Sequence, residues 1–189
     1  VRTATGTLNA DHVIVAAGTA SPDLLAPLGI ALPMLSRPGL LLHTCPVPRV
    51  INHILASPGQ EFRQSADGRI IAPTAAGHQA DQTGGVHDLP GDLAERALER
   101  LRAVLVGVDL KLERVMLAHR PVPEDGLPVV GAVGPDGLHI ATMHSGVTLA
   151  PLIGNLIADE ILHGQISPLL TPFRPGRFNT SASLKPAEH

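Results

Sequence analysis

Two pairs of neighbouring side chains have the residue types that nucleophilic or acid–base chemistry uses. His144 beside Ser145 suits a hydrolase, but the sequence contains no G-x-S-x-G motif, and adjacent residues do not form a catalytic triad. Glu124 beside Asp125 suits an acid–base pair, yet both lie in a turn rich in proline and glycine, and we interpret them as turn-stabilising residues. The sequence therefore predicts no catalytic side chain in either pair.

Metal and covalent chemistry are disfavoured by residue spacing. The 10 histidines, among them His43, His53, His78 and His87, show neither H-E-x-x-H nor another compact ligand pattern, so no metal site is expected. The single cysteine, Cys45, excludes an internal disulfide and a CxxC pair. With no histidine next to it, Cys45 is interpreted as a small buried residue and not as a covalent cofactor anchor.

Composition and charge narrow the class of protein. The chain has 189 residues, of which 44% are hydrophobic, enough for one ordinary domain or parts of two. Lys and Arg number 14 against 17 Asp and Glu, and no basic stripe accompanies aromatic residues, so nucleic acid is not an expected partner. The longest apolar region, residues 138 to 162, is interrupted by histidines and acidic residues and is not expected to span a membrane.

The use of cysteine and the start of the chain suggest where the protein works. A single cysteine fits a reducing compartment, and we expect a cytoplasmic protein. Val1 is not an initiator methionine, and the residues after it lack the charged and then apolar profile of a signal peptide. We therefore expect the chain to be part of a larger gene product.

Two strand-to-helix transitions are predicted near the ends of the chain. The apolar run from Val13 to Ala17, closed by Gly18, predicts a buried strand of the parallel type. Ser21, followed by a proline, predicts the N-cap of a short helix. Residues 138 to 142 predict a second strand, and helical spacing of apolar residues predicts a helix that begins near Val147.

The middle of the chain has a different pattern. Short apolar runs separated by turns predict an antiparallel sheet, with strands at Leu40 to Thr44, Val50 to Leu55 and Arg69 to Pro73. Residues 75 to 91 have no periodicity and are predicted to form a loop. Asp92, with Glu95 three residues later, predicts the capped start of an amphipathic helix that packs on the sheet.

Three segments, in this order, resemble one family, the FAD-dependent amine and amino-acid oxidoreductases that include glycine oxidase, D-amino-acid oxidase and sarcosine oxidase. The segments are ADHVIVAAG at residues 10 to 18, HRP followed by DGLPVVG within residues 119 to 131, and MHSGVTLAP at residues 143 to 151. The second is similar to R-P-x-x-x-D-G-x-P-x-x-G of glycine oxidase-like enzymes. The third, which continues to Gly154 and Ala158, is similar to G-H-x-x-G-x-x-x-A-P-x-x-G.

The resemblance implies an α/β (α+β) fold, namely the C-terminal part of a FAD-binding Rossmann-like domain with an inserted antiparallel-sheet substrate domain. Residues 1 to 31 and 118 to 165 would belong to the FAD-binding domain. Residues 32 to 117 would form the substrate-binding domain. Residues 166 to 189 are expected to form a tail, which is expected to be poorly ordered after Pro168.

The resemblance also implies which residues contact the cofactor. Ala17 and Gly18 would let the backbone approach the flavin closely, because glycine has no side chain. Gly146, Val147 and Thr148 would open a helix that points at the flavin ring. Their free amides and the positive end of the helix dipole would stabilise the negative charge that develops on the flavin during reduction.

For the substrate, the resemblance implies Arg120 and His144 as binding residues. The planar guanidinium of Arg120 suits a carboxylate because it can donate two charge-assisted hydrogen bonds. The implied reaction is hydride transfer from the Cα–H of a small amino acid or amine to flavin N5, followed by hydrolysis of the imine. No protein acid or base is obligatory in that reaction, and the oxidant that restores the flavin is not specified by the sequence.

One element of the family pattern is missing from these residues. No G-x-G-x-x-G motif is present, and in this family that motif binds the ADP half of FAD. We therefore expect this chain alone to hold FAD weakly or not at all and to be inactive. Its expected partners are the missing N-terminal FAD-binding segment, a partner subunit, or a second copy that covers an exposed sheet face.

A second hypothesis belongs to a different class of protein. The chain would then be a non-catalytic fragment or interaction module that keeps the fold without bound FAD. A yellow, flavin-absorbing preparation supports the enzyme, and a colourless preparation that takes up no FAD supports the module.

Overall fold

The computed structural model describes residues 1–57, 59–75 and 88–182. The strands are β1 Arg2–Thr3, β2 Gly6–Thr7, β3 Val13–Val15, β4 Met34–Leu35, β5 Pro38–Thr44, β6 Leu55–Ser57, β7 Gln60–Gln64, β8 Ile70–Pro73, β9 Leu112–His119, β10 Val122–Pro123, β11 Val129–Ala132 and β12 Leu138–Thr142. The α-helices are α1 Ser21–Leu25, α2 Pro90–Val104 and α3 Gly146–His163, and 3-10 helices occupy Gly18–Ala20, Ala26–Leu28, Pro168–Phe173 and Pro175–Ala182. Most of the loop predicted over residues 75 to 91 lies outside the described residues, as do His78 and His87.

The chain divides into two compact units. The first consists of Val1–Leu35 and Pro121–His189, and the second of Ser36–Arg120. A three-stranded mixed sheet lies in the first unit and a five-stranded antiparallel sheet in the second, so the predicted mixed α/β class with an antiparallel sheet is confirmed. The assignment of the first unit to a cofactor and the second to a substrate stays a prediction.

The mixed sheet of the first unit has the strand order β11-β12-β3. β12 pairs antiparallel with β11 and parallel with β3, where His139 lies opposite Ile14. Both predicted strands are present, but the one predicted from Val13 to Ala17 ends at Val15. It is also not the buried strand that was expected, because Ile14 is 49% exposed. The other edge of β3 pairs with no strand in the part of the chain that the structure describes.

Each face of this sheet carries its own hydrophobic cluster, because successive side chains of a strand point to opposite faces. One face carries the buried residues Leu25, Leu32, Val129, Leu138 and Ile140, and the other carries Val130, Met143, Ile153, Ile157 and Leu170. The first cluster includes α1 and the second includes α3. The sheet is therefore the middle layer of the first unit.

The predicted N-cap of the first helix is wrong. The N-cap of α1 is Ala20, which makes no side-chain cap hydrogen bond. Ser21 is instead fully buried, and its Oγ accepts a hydrogen bond of 3.0 Å from Thr142 Oγ1. The hydroxyl that was predicted to cap the helix therefore bonds to a residue 121 positions away in the chain.

The second unit is built on an antiparallel sheet with the order β6-β7-β8-β5-β9. α2 packs on one face of it, in a cluster of Leu42, Phe62, Ile70, Ala72, Ala94, Ala97, Leu98, Leu101 and Leu110. This confirms the predicted sheet-and-helix arrangement. The predicted capping box is wrong, because the helix begins at Pro90 with Leu89 as N-cap and no side-chain cap bond.

The strand predicted from Val50 to Leu55 is also largely wrong, since only Leu55 belongs to a strand. The buried side chain of Gln64 replaces the strand pairing that was expected there. Its Oε1 accepts from the amides of Val50 and Ile51 at 2.8 and 3.3 Å, and its Nε2 donates to three carbonyl oxygens. These bonds satisfy buried polar groups without a ladder.

The segment expected to be a poorly ordered tail is packed through residue 178. Leu170 is 1% exposed within the α3-side cluster. Arg174 forms a bidentate ion pair with Glu160 of α3, with N–O distances of 2.5 and 2.8 Å. Arg177 forms another with Asp125, at 2.6 and 3.0 Å. The two ion pairs tie the C-terminal segment to the first unit.

Gly131 makes room for one of these arginines. Its φ of +125° is in the region that favours glycine, and an added Cβ would collide with the guanidinium of Arg174. Asp125 and Gly131 both belong to the D-G-x-P-x-x-G motif, and both contact the C-terminal segment. The motif therefore has a packing role in this fold.

The stability of the second unit should fall as the pH falls. Hydrogen bonds from Ser65 and Arg69 lower the pKa of Asp67 from 3.8 to about 2. The stabilisation by the ionised Asp67 carboxylate is therefore present above pH 3.8 and is lost as the pH falls through about 2. Burial and the charge of Arg114 lower the pKa of His43 below 6.5, so below that pH the unfolded chain takes up a proton that the folded chain does not. Both effects have the same sign, and urea unfolding between pH 7 and pH 3 measures them.

Two variants separate the contributions. His43→Gln should flatten the decline between pH 6.5 and pH 5, and Asp67→Asn should reduce the decline below pH 4. A free energy of unfolding that stays constant from pH 7 to pH 3 would contradict the expectation.

Candidate functional site

An apolar pocket of about 400 Å³ lies in the first unit, beside the carboxyl ends of β3 and β12. It is lined by Ile14, Ala16, Gly18, Pro121, Ala141, Thr142, Met143, Gly146, Ala150, Ile153, Gly154 and Ile157. Thr142 is the one residue with a polar hydroxyl in this lining, and that hydroxyl bonds to Ser21 of α1. Pockets of roughly 300–1,000 Å³ with mostly apolar walls are typical small-molecule sites.

Two parallel strands and one helix build the pocket. Because β3 and β12 are parallel, their carboxyl ends meet at the same edge of the sheet, where α/β folds bind their ligands. The chain leaves β3 through Gly18, whose φ of +59° is left-handed. It leaves β12 through three residues and enters α3 at Gly146, so that the first turns of α3 form one wall.

The N-terminus of α3 has free backbone donors. Its N-cap, Ser145, makes no side-chain cap hydrogen bond, and the first bond of the helix runs from Leu149 N to Ser145 O at 2.9 Å. The amides of Gly146, Val147 and Thr148 find no acceptor among the described residues. With the helix dipole, these donors favour negative charge at the end of the pocket that Gly146 lines.

An extra side chain at Gly146 would not disturb the protein itself. The nearest atom to an added Cβ is Met143 Cγ at 3.9 Å, an ordinary contact. A substitution at Gly146 should therefore reduce the space in the pocket without a clash between its Cβ and neighbouring residues.

The structure brings together only some of the predicted cofactor residues. Gly18 and Gly146 line the same pocket. Ala17 lines a different groove, described below, and not this pocket. Val147 has a side chain that is 95% exposed, and Thr148 is also exposed, so their contribution is limited to their backbone amides.

The two predicted substrate residues lie in different units. His144 is half-buried in the first unit, with Nδ1 3.4 Å from Ser145 Oγ. Arg120 is the last residue of the second unit, is half-buried, and donates its backbone N–H to Arg37 O at 2.9 Å. This bond continues the pairing of β9 with β5 by one residue and fixes the backbone of Arg120.

The acidic pair in the turn is not arranged for proton transfer. Hydrogen bonds from Arg177 lower the pKa of Asp125, so this carboxylate stays ionised as an ion-pair partner. It also accepts a hydrogen bond of 3.0 Å from Leu127 N. Glu124 donates its backbone N–H to Pro33 O at 3.0 Å. These contacts agree with the turn-stabilising interpretation.

Sequence reasoning missed Thr142 as a pocket residue. Thr142 is 1% exposed, lines the pocket and donates its hydroxyl proton to Ser21. The signal that could have found it is its place as the last residue of a strand that runs into the third resemblance segment. Its hydroxyl holds α1 against β12 beneath the pocket.

Metal ligation and membrane insertion have no support in the described residues. Within residues 1–57, 59–75 and 88–182, no three histidine, cysteine or acidic side chains come close enough to hold a metal ion. In the same ranges, no helix combines the length and the apolar character needed to cross a bilayer.

A second groove, of about 770 Å³, follows the unpaired edge of β3. Its lining consists of Val1, Arg2, Val13, Ile14, Val15, Ala16, Ala17, Asp23, Leu24, Pro27, Leu28 and Leu138. Ile14 is 49% exposed and Leu24 is 55% exposed. An apolar strand with one free edge is a place where another strand can pair.

Comparisons with known proteins agree with this architecture. Residues 1–160 match the sequence model of the family described as FAD dependent oxidoreductase. Glycine oxidase from Pseudomonas aeruginosa is 32% identical over 180 residues, which cover 91% of this chain and 47% of that protein. D-amino acid dehydrogenase from Allorhizobium ampelinum is 33% identical over 159 residues, 82% of this chain and 37% of that protein.

Among solved structures, glycine oxidase from Geobacillus kaustophilus superposes with a TM-score of 0.68 at 25% identity, over 92% of this chain and 47% of that one. The fold and its pocket thus define part of a flavoprotein-type α/β domain joined to an antiparallel sheet. The chain belongs to the FAD-dependent oxidoreductase family. It spans about half the length of the glycine oxidases that it matches.

Proposed function

We propose that this chain forms the flavin-facing and substrate-binding part of a FAD-dependent enzyme that oxidises the C–N bond of a small amino acid or amine. The observation that carries the proposal is that Gly18 and Gly146, the first residue of α3, line one apolar pocket. When bound, FAD would supply the two-electron acceptor for the hydride of the substrate Cα–H, and water would hydrolyse the resulting imine.

The residues of the pocket fit a flavin ring. A flat aromatic system needs apolar walls and close backbone approach, and this lining offers small or aliphatic residues such as Ala16, Ala150 and Ile153. Gly18 and Gly146 have no side chain, so the backbone can approach a ligand closely at both lining positions. The amides of α3 supply the positive pole that stabilises negative charge on a reduced ring.

Arg120 and His144 are proposed to bind the substrate. Two charge-assisted hydrogen bonds from the guanidinium would fix the carboxylate of an amino acid, which orients its Cα–H. His144 would offer a further polar contact. No side chain needs to take a proton for the oxidation, so orientation and electrostatics supply the catalytic contribution of this chain.

The ADP half of FAD needs residues beyond these. The 189 residues contain no G-x-G-x-x-G, and one apolar edge of β3, beside the 770 Å³ groove, pairs with no strand of the described residues. We propose that a strand and helix carrying the ADP site pair with this edge, either from an N-terminal segment or from a partner subunit. A second copy of this chain at the same edge is the alternative occupant.

The single cysteine supports a cytoplasmic location.

The alternative function is a non-catalytic interaction module that keeps the fold without FAD. The missing glycine-rich motif and the free edge of β3 favour it. The two functions differ in whether the pocket accepts a flavin ring.

Titration of the 189-residue chain with riboflavin and with FAD tests the proposal. Because the pocket contacts only the ring, we expect both ligands to bind with similar, weak affinity, measured by quenching of flavin fluorescence. Gly146→Val should abolish this binding, because two methyl groups would enter the ring space while the fold has room for a Cβ.

Val147→Ala is the matched control, since its side chain is 95% exposed and only its backbone is proposed to act. It should bind both flavins as the unaltered chain does. Absence of binding for both ligands, or equal binding by the Gly146 variant, would favour the interaction module.

A further inference from the structure

The face of the five-stranded sheet opposite α2 has an unusual combination of side chains. Phe62 and Leu42 point into the α2 cluster, so their neighbours Arg63 and His43 point to the opposite face. The strand register aligns Arg63 with Ile71, Ile71 with His43, and His43 with Arg114. These four residues form one row across β7, β8, β5 and β9, which we call the basic row.

The two arginines of the basic row have no carboxylate partners. Both are exposed, and neither forms an ion pair with any of the described residues. Glu113 is the nearby carboxylate that acts on His43, and Arg69 engages both of its oxygens at 2.5 and 2.8 Å. Glu113 therefore does not neutralise the positive charge at the centre of the row, and Glu61, two residues before Arg63 on the same face, lies at the β7 end of the row.

His43 sits between the arginines in a form suited to donate a hydrogen bond. It is 9% exposed, and its Nδ1 is buried without a partner among the described residues. A proton on Nδ1 would be an unsatisfied buried donor, so the neutral ring carries its proton on Nε2. Burial, Arg114 and Arg63 lower the pKa of His43, which keeps the ring neutral at pH 7.

An apolar patch adjoins the basic row. Leu41 and Met116 lie opposite each other in the next row of the same face and are 38% and 46% exposed. A ligand with an anionic head and an apolar body would satisfy both features. Arg63 and Arg114 are three strand spacings apart, about 14 Å, so their guanidinium groups must converge in order to hold one head group between them.

We propose that the basic row binds the carboxylate or phosphate group of an organic anion, whose apolar part covers Leu41 and Met116. Arg63 and Arg114 neutralise the head group and His43 Nε2 donates to it. The row is distinct from the place where Arg120 acts, because Arg114 precedes Arg120 by six residues along an extended strand, about 20 Å. The inference therefore does not depend on the proposed oxidation.

An NMR titration of the 189-residue chain, isotopically labelled at histidine, tests the proposal at 150 mM salt. The probes are inorganic phosphate, hexyl phosphate and hexanoate. We expect saturable shifts of the His43 ring nitrogens and at least about tenfold tighter binding of hexyl phosphate than of inorganic phosphate. The stronger of the two hexyl probes identifies the head group as phosphate or carboxylate. No saturable shift with any of the three probes would overturn the proposal.

Variants locate the binding. Arg63→Gln and Arg114→Gln should each weaken it by about tenfold or more, because each removes one charge-assisted contact. Arg96→Gln is the matched control, since Arg96 lies on α2 and already pairs with Asp88. Met116→Ala should weaken hexyl phosphate and leave inorganic phosphate unchanged, which tests the apolar part without altering charge. Equal affinity in both arginine variants and the unaltered chain would rule out the basic row.

Discussion

Replacing Arg174 with alanine should lower the free energy of unfolding by about 3 kcal/mol at pH 7, because it leaves an ionised carboxylate buried without its partner. The side chain of Glu160 is 7% exposed and that of Arg174 is 26% exposed, so water screens the pair poorly. Glu160 also accepts a hydrogen bond of 3.3 Å from Ala132 N, which holds the carboxylate in place after the arginine is lost. Urea unfolding followed by circular dichroism measures the change.

The pH dependence identifies the cause of this loss. Arg174 lowers the pKa of Glu160 below 4.5, so the contribution of the ion pair is present above that value and is lost as the pH falls through the lowered pKa. The difference between variant and unaltered chain should therefore shrink in acid. Arg96→Ala, which breaks a pair that is 52% and 60% exposed, should cost no more than about 0.5 kcal/mol.

Gly131→Ala should weaken the same Arg174–Glu160 ion pair without removing either charged side chain. Its Cβ would displace the Arg174 guanidinium, and its φ of +125° is unfavourable for alanine. A loss below 1 kcal/mol for both Arg174→Ala and Gly131→Ala would show that the C-terminal segment does not stabilise the first unit.

In the proposed FAD-loaded enzyme, replacing Arg120 with alanine should reduce kcat/KM for an amino-acid substrate by about 10- to 150-fold, mainly through KM. The proposed pair with the carboxylate is charge-assisted, and such bonds contribute about 1.5–3 kcal/mol. Steady-state kinetics with and without the substitution measure the effect. Arg120→Lys should recover only part of the loss, because an ammonium group lacks the planar fork.

An amine of the same size without a carboxylate is the control substrate. Its kcat/KM should be unchanged by Arg120→Ala, since it has no group for the guanidinium to bind. An unchanged KM for the amino acid would show that Arg120 does not bind the substrate. It would not test the proposal that the pocket binds the flavin ring.

The sequence alone predicted structural elements correctly where apolar spacing and glycines within a short stretch determine the backbone. The short, β-branched and apolar run after His12 predicts a parallel strand, and the structure pairs Val13–Val15 in parallel with β12, although Ile14 is exposed and not buried as expected. The helical spacing after Gly146 likewise places Ile153 and Ile157 in the core. Gly18 and Gly146 followed from the family motifs, and both line the pocket.

Local pattern failed where a polar side chain has a distant partner. Ser21 matches the preferences of an N-cap, but its hydroxyl bonds to Thr142. Gln64 occupies the amides that a strand at Val50 would have offered to a neighbour. The C-terminal segment was expected to be poorly ordered, but it contains two arginines whose carboxylate partners lie 14 and 52 positions away.

By itself, the sequence determined the class of fold, the family and the positions where strands turn into helices, because apolar periodicity and glycine motifs are local properties. Only the tertiary structure decided that Gly18 and Gly146 share a pocket, that Asp125 and Gly131 receive the C-terminal arginines, and that Arg63, His43 and Arg114 form a row. The physical reason is that strand pairing and helix packing join residues far apart in the chain, and no local preference encodes which distant partner will satisfy a buried polar group.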